Sequence, residues 1–495
     1  MPKVSAPSFR LAVGVAAASG LLFTLTAGGS LTTTDAVLAF DLSEQILSGD
    51  IALSPAMAAR SAFAVPGVDG RLYPPWGIGQ SLFAAPFVQI GLWVGALPPF
   101  RVLAPDVLPK AMFAMSSAVA AALAVVLCFA FAYATSQSAS RALLAGAVLA
   151  VATPLWPYSG FGFNAALAAA ALLLAVGAAW KADHDGRDTS FFAAGLAVGL
   201  AVAVRHEFLL LVPVVTVWWA GARAPWRVRL RGLVWASAGL APVAIGIGWY
   251  NYLRFGSPLD AGHLPAFGLT GVAGLLLSPS ASVLLYCPAV IVMLVALFRL
   301  PPEHQRLRQL ILLTVAVMFV FYGTMENWMG GRSYGPRYLV PLLALLCVPL
   351  ATWACRAAVR HRLVVAALAL SALVQIPGVV VDYAAAYDAW ALEHPGGPSV
   401  GERTWVPSGS ALIVTSAALF SPAASDATVS SPIEGRRGSR IDFWWLHLAA
   451  LGIVPTALAG SLGVVILLSL AATVVWIRRE VGPWSCGEED PCVPR

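Results

Sequence analysis

The sequence predicts an all-α polytopic membrane protein of about twelve transmembrane helices, within a range of eleven to thirteen. Of its 495 residues, 59% are hydrophobic and 11% are charged, whereas a soluble domain is about a quarter charged. Apolar runs of roughly 18–25 residues recur along the chain, long enough to cross a bilayer as helices. The connections between them divide into short arginine-rich pieces and longer pieces rich in Gly, Pro and aromatic residues. In hydrocarbon every backbone polar group needs an internal partner, which leaves helices or a closed barrel, and the runs lack the strict alternation of a barrel. A net charge of +6 is then read as topology-setting arginine rather than as a nucleic-acid surface.

In chain order the runs are 9–29, 77–98, 111–134, 141–158, 163–180, 190–220, 232–250, 282–298, 309–323, 337–354, 363–380 and 447–476. The first resembles a signal peptide but is too long for an h-region, so it is read as a retained helix. Arginines in 222–231, 299–308 and 355–362, with Arg478 and Arg479 after the last run, place those connections in the cytoplasm together with both termini. The run 190–220 carries Arg205, His206 and Glu207 at its middle. It is expected to be one long helix. In the alternative it is two short helices turning at these residues, with 77–98 then re-entrant. Either way, 30–75, 251–281, 324–336 and 381–442 lie outside. Because loops on a rigid scaffold tend to carry function, the outer face is the expected working face.

Charge is scarce, so its placement is informative. Asp35 follows the first run beside a threonine triplet, and a helix over 35–47, capped by Thr34 or Asp35, would set Asp41 and Glu44 on one face. A carboxylate held at the bilayer boundary is partly desolvated, which raises its basicity. Tyr73 and Gln80 belong to "DGRLYPPWGIGQ", a Pro, Gly and aromatic entry into the membrane. Arg205 and Glu207 are costly inside a span, and Arg205 has the fork geometry to hold a phosphate. Arg254 and His263 flank the turn signal Gly256-Ser257-Pro258. Asn327, Trp328, Arg332, Tyr334 and Arg337 crowd into "MENWMGGRSYGPRYLVP", where arginine suits a phosphate and aromatic rings suit a sugar. Cys486 and Cys492 in the tail are two ligands only and make no metal site.

Taken together, Asp35, "YPPWGIGQSLFAAPF", "NYLRFGSPLDAG", "LLSPSASVLLYCP" and "WMGGRSYGPRYLVP" resemble the GT-C membrane glycosyltransferases, specifically the multi-span proteins related to protein O-mannosyltransferases and aminoarabinose transferases. The resemblance spans roughly residues 9–355. It implies a GT-C-like catalytic module over 1–355 with a long first external loop, further helices over 356–480 with an external segment 381–442, and a cytoplasmic tail 481–495. It implies a polyprenyl-phosphate-linked sugar donor, inversion at the anomeric carbon, and a glycan, lipid or protein acceptor, with the work done on the outer side of a bacterial inner membrane. Asp35 maps onto the family's base, and Arg205, Arg332 and Arg337 are candidates for the donor phosphate. Asp41, Glu44, Tyr73, Gln80, Glu207, Arg254, His263, Asn327, Trp328 and Tyr334 are carried as substrate-binding candidates.

The chain departs from the family where Ala36 follows Asp35, since many relatives have two adjacent acids there. Any second acid is Asp41 or Glu44. No cofactor is required by the sequence, and a divalent metal (Mg or Mn) is left open. The rival reading is a multi-span transporter or lipid flippase, for which charges near the midplane and repeat symmetry would be the signature.

Overall fold

A computed structural model describes residues 8–31, 33–59, 63–100, 103, 105–222, 225–262, 266–353, 358–394, 404–420 and 441–481. His263 and the Cys486/Cys492 tail lie outside the described residues. The architecture is helical, as expected. Six helices are long and apolar enough to cross a membrane: Val107–Ser136, Ala165–Asp185, Trp226–Phe255, Pro302–Thr324, Arg362–Val380 and Thr456–Val481. Shorter apolar helices complete the bundle. Among the described residues the sheet structure is one antiparallel pair, Val65–Pro66 with Leu72–Tyr73.

Small residues let the helices approach closely. The Asp188–Val204 helix lies against Trp226–Phe255 with Gly195 on Ala236 and Gly239 on Phe192. A methyl group on Gly195 would stand 1.8 Å from the Ala236 carbonyl oxygen. Packing between backbones drives helix association in lipid, where no hydrophobic gain separates one apolar face from another.

The run 190–220 is not one long helix. Its backbone is extended at Arg205 (φ −142°, ψ 119°), which ends Asp188–Val204, and a 3-10 turn, His206–Leu210, leads into Leu211–Ala220. The two arms fold back. The Phe191 and Trp219 rings meet with centroids 4.9 Å apart, and the Trp219 indole N–H donates to the Ala179 carbonyl (3.3 Å). Arg306 closes the same end, donating to Asp183 (3.0 Å) and to the Trp218 carbonyl (2.9 Å). The physical reason is the cost of ionised groups at the midplane: a turn carries Arg205, His206 and Glu207 to the end of the bundle.

The run 77–98 changes role with it. Within the Gly79–Gly95 helix, Gln80 donates to the Gly162 carbonyl. At the other end, Gly91 packs on Pro109, at the start of Val107–Ser136. Phe113, one turn further on, also lies against Gly162. Both ends of the Gly79–Gly95 helix therefore stand at the same end of the bundle, and it is not a crossing. One expected crossing drops out and another divides, so the parity is unchanged.

The segments expected outside gather at this end. Gly160 packs on Ala27, and Val68 N–H donates to the Arg254 carbonyl (2.9 Å). The C-terminal region joins them. The Trp444 and Trp445 indoles donate to the Thr24 and Leu25 carbonyls (2.8 and 2.9 Å), satisfying acceptors that the end of the first helix, Phe9–Leu25, leaves open. Thr456–Val481 then runs beside that helix, with Trp476 against Gly14.

The hairpin has a direct test. A double Phe191→Cys, Trp219→Cys variant should cross-link with a short bismaleimide in membranes, because the two positions are in contact. A straight helix would hold them about 42 Å apart, at 1.5 Å per residue, and would give no product.

Candidate active site

The first external helix, Thr34–Ser48, begins one residue before the expected 35–47. Its N-cap is Thr33, in extended backbone, and no side-chain cap bond forms there, so neither Thr34 nor Asp35 acts as the cap. Asp35 instead lies in the first turn, where the helix dipole favours a negative charge. One Asp35 oxygen accepts from Arg337 Nη1 at 2.7 Å. The Arg337 side chain is 9% exposed and that of Asp35 37%, so a nearly buried cation reaches solvent through a half-open acid.

Arg337 is placed by the turn before it. Gly335 has φ +70°, and a Cβ there would stand 2.4 Å from the Tyr286 ring, so only glycine fits. The Arg337 guanidinium lies 4.6 Å from the Phe163 ring centroid and 5.0 Å from that of Tyr338, and Nη2 donates to the Tyr338 hydroxyl (3.2 Å). Its Nε is buried without a hydrogen-bond partner.

Arg205 stands next to it. The side chain is buried, and its Nε and Nη2 both donate to Asn164 Oδ1 (3.2 and 2.8 Å). Nη1 stands 3.8 Å from Glu207 Oε1 and has no hydrogen bond of its own. On a regular helix residues two apart diverge; the break at Arg205 brings this pair together. The guanidinium is 5.6 Å from the Tyr338 ring centroid. Tyr338 stacks on Tyr322 (5.2 Å, 12°), whose hydroxyl donates to Glu207 (3.3 Å). Two arginines thus approach one tyrosine ring, each with a buried N–H left unpaired. An unpaired buried donor costs about 1–3 kcal/mol, which an incoming anion would recover.

The structure does not bring the other expected residues to this cluster. Arg254 is fully buried, donating to the Pro74 carbonyl (2.8 Å) and Asn251 (2.7 Å), with Tyr250 under its plane. It fastens the 65–74 hairpin to the end of its helix. Tyr73 is buried in that hairpin and donates to Asp69 (2.7 Å). Gln80 braces the Gly162 turn that precedes Asn164. Asp41 accepts from the Ser54 N–H and hydroxyl (2.8 and 2.5 Å) and so shapes the loop after its own helix. Trp328 lies on Gly271 and Gly274, and Tyr334 is buried, donating to the Val374 carbonyl. Asn327 is exposed, its carbonyl accepting from the Gly330 N–H (3.0 Å). Arg332 pairs instead with Asp388 (2.9 Å).

Glu44 is half-buried. Burial first, then the charge of Asp41, pushes its carboxyl from 4.5 up to about 7, against a smaller opposing pull from Lys110. Among the described residues, no three His, Cys, Asp or Glu side chains stand together as a metal site. Asp35 has an arginine, not a second acid, beside it, so the donor set does not fit a divalent ion there.

Sequence reading missed Asn164, Phe163 and Tyr322 as site residues and had Tyr338 only as part of the "MENWMGGRSYGPRYLVP" stretch. Asn164 carried a usable signal: it is a lone amide at the head of the alanine-rich run "NAALAAAALLLA". Tyr322 carried none, being one aromatic at the end of an apolar run.

No protein-family model and no curated protein matches the chain. Among solved structures it is similar to ArnT from Cupriavidus metallidurans. The form bound to undecaprenyl phosphate is 14% identical, with a TM-score of 0.49, covering 94% of this chain and 78% of that one. The apo form is 16% identical, with a TM-score of 0.48, covering 93% and 76%.

Two outcomes follow from the geometry. Asp35→Asn and Arg337→Gln should each destabilise the protein in a denaturant titration, and the double variant should cost less than their sum. The expected coupling is about 1–2 kcal/mol, below that of a fully buried pair because Asp35 reaches solvent. Separately, the raised carboxyl makes the contribution of Glu44 to stability fully present below about pH 4.5 and lost as pH rises through about 7. Glu44→Gln should therefore flatten the fall of melting temperature between pH 5 and 8.

Proposed function

We propose that the protein is an integral membrane glycosyltransferase that moves a sugar from a polyprenyl-phosphate-linked donor to an acceptor hydroxyl at the Asp35 end of the bundle. The observation that carries the reading is the pair of buried arginines, Arg205 and Arg337, each with an unpaired N–H, set beside a half-open carboxylate where apolar helices end. A phosphate on a prenyl tail matches such a place: the tail stays in lipid, and the anion meets arginine forks at the boundary. The sequence resemblance to the GT-C enzymes points the same way.

The chemistry divides among this chain's residues. In the ligand-free state Asp35 neutralises Arg337. The donor phosphate takes Arg337 and Arg205, which frees Asp35. Asp35 then orients the acceptor hydroxyl and accepts its proton. The acceptor oxygen forms a bond to the anomeric carbon from the face opposite the phosphate, and the carbon–oxygen bond to the phosphate breaks, inverting the centre. The departing phosphate keeps its charge on the arginines, so no strong acid is needed. Positioning and preorganised charge supply the rest of the rate.

The opposite end of the bundle carries Arg231, paired with Asp188, and Arg306, paired with Asp183. By the positive-inside rule that end faces the cytoplasm, so the site faces outward across a bacterial plasma membrane. A transporter would want ionised groups at the midplane. The hairpin at Arg205 takes Arg205, His206 and Glu207 to the bundle end, which favours the transferase.

Mass spectrometry of lipid-linked sugars tests the reading. Cells carrying Asp35→Asn at matched protein levels should accumulate a polyprenyl-phosphate sugar, with transfer reduced roughly 10²- to 10⁴-fold, the usual weight of a general base. Profiles equal to wild type, where the protein is needed for growth, would remove Asp35 from catalysis.

A further inference from the structure

A second polar feature lies beside the arginine cluster. A cavity of about 310 Å³ is lined by Ser280, Arg332, Ser333, Tyr387, Asp388 and Thr404, among others. This is the lower end of the range for small-molecule sites, with room for a single sugar ring rather than a chain of them. Arg332 and Asp388 pair at 2.9 Å, with side chains 57% and 50% exposed. An ion pair this exposed contributes little to folding. It does place a cationic fork and a carboxylate side by side in the cavity wall, the donor and acceptor that two neighbouring hydroxyls of a sugar require.

The walls are held by a capped helix and by the turn that leads to Arg337. Asp388 and Tyr387 belong to the helix Tyr383–Glu393, whose first turn is capped by Asp382 accepting from the Ala384 and Ala385 N–H groups (2.9 and 3.1 Å). Tyr383 anchors it against Phe161 (4.6 Å) and Tyr158 (6.1 Å). Ser333, in the wall, donates to the Met329 carbonyl (2.9 Å).

Arg337 does not line the cavity but lies behind its wall, next to Gly330. A methyl group on Gly330 would stand 3.1 Å from Arg337 Nε and 3.5 Å from Ser333 Oγ. Arg337 is itself 8% exposed, and that Nε is its buried, unpaired donor. One glycine therefore separates the cavity wall from the arginine assigned to the donor phosphate. In a glycosyl phosphate the sugar carbon is bonded directly to a phosphate oxygen, and an acceptor hydroxyl must approach that same carbon. A sugar site is needed within this reach.

We propose that the cavity is a sugar-ring subsite, in which Arg332 and Asp388 read a pair of adjacent hydroxyls and so set specificity. This rests on the glycosyltransferase reading. The ring has two sources, the donor's own sugar or a glycan acceptor.

The test uses the full chain in nanodiscs and three probes: polyprenyl phosphate, polyprenyl-phosphate-linked hexose, and a panel of methyl glycosides added over saturating polyprenyl phosphate. Asp388→Asn and Arg332→Gln are compared with wild type; both positions are exposed, so both variants should fold. If the donor's ring sits in the cavity, the variants lose about tenfold in affinity for the linked hexose, the weight of a charge-assisted hydrogen bond, and none for polyprenyl phosphate. If the acceptor sits there, linked-hexose binding is unchanged and the variants lose the methyl-glycoside signal. Unchanged binding of both sugar probes overturns the subsite. Failure of wild type to bind polyprenyl phosphate at all would instead overturn the glycosyltransferase reading, so the two failures are distinct.

Discussion

The ion pair between Asp35 and Arg337 joins residues 302 positions apart in the chain, and one end of the bundle is organised around it. Arg337 is nearly buried, and a buried guanidinium is tolerable only if its charge is met. Asp35 meets it from the first external helix, while Phe163 and Tyr338 cover its faces. Through Tyr338 the pair is continuous with Arg205, Asn164, Glu207 and Tyr322. The balance is incomplete by one N–H on each arginine, so the cluster holds together without ligand and still prefers an additional anion.

The same electrostatic constraint shapes the backbone. Three ionisable residues in a row, Arg205 to Glu207, cannot sit comfortably at the centre of a straight span. The chain turns there, and the cost of placing them becomes an advantage: Arg205 arrives beside Arg337. Around this end the other polar groups act as fasteners. Arg254 pins the short hairpin, Asp41 shapes the loop after its helix, Gln80 braces the turn before Asn164, and Trp444 and Trp445 close the end of the first helix.

Fold class was legible because apolar run length and arginine placement are first-order effects of a bilayer. The acids and arginines of the cluster, Asp35, Arg205, Glu207 and Arg337, stood out as candidates because charge is rare in such a chain. What composition does not encode is direction. Run 77–98 is as apolar as a crossing, yet its helix returns to the end where it began. That is decided by contacts with Gly162 and Pro109, not by its own hydropathy. For run 190–220 the sequence left two models, one long helix or two short ones turning at Arg205 to Glu207, and the structure takes the second. Arg254, Tyr73 and Arg337 stood out for the same reason, and sequence does not tell a buried arginine held by a backbone carbonyl from one held by a carboxylate across the fold. Phe163 and Tyr322 needed the fold, because their place at the cluster comes from what lies across from them.

The most direct measurement is the affinity of the full chain in nanodiscs for polyprenyl phosphate, taken for wild type, Asp35→Asn and Arg337→Gln. If Asp35 holds Arg337 until a phosphate displaces it, removing the acid's charge removes a competitor. Asp35→Asn should then bind polyprenyl phosphate at least as tightly as wild type, and Arg337→Gln at least tenfold more weakly. Equal affinity for wild type and Arg337→Gln would contradict the account, because the phosphate would then be held elsewhere.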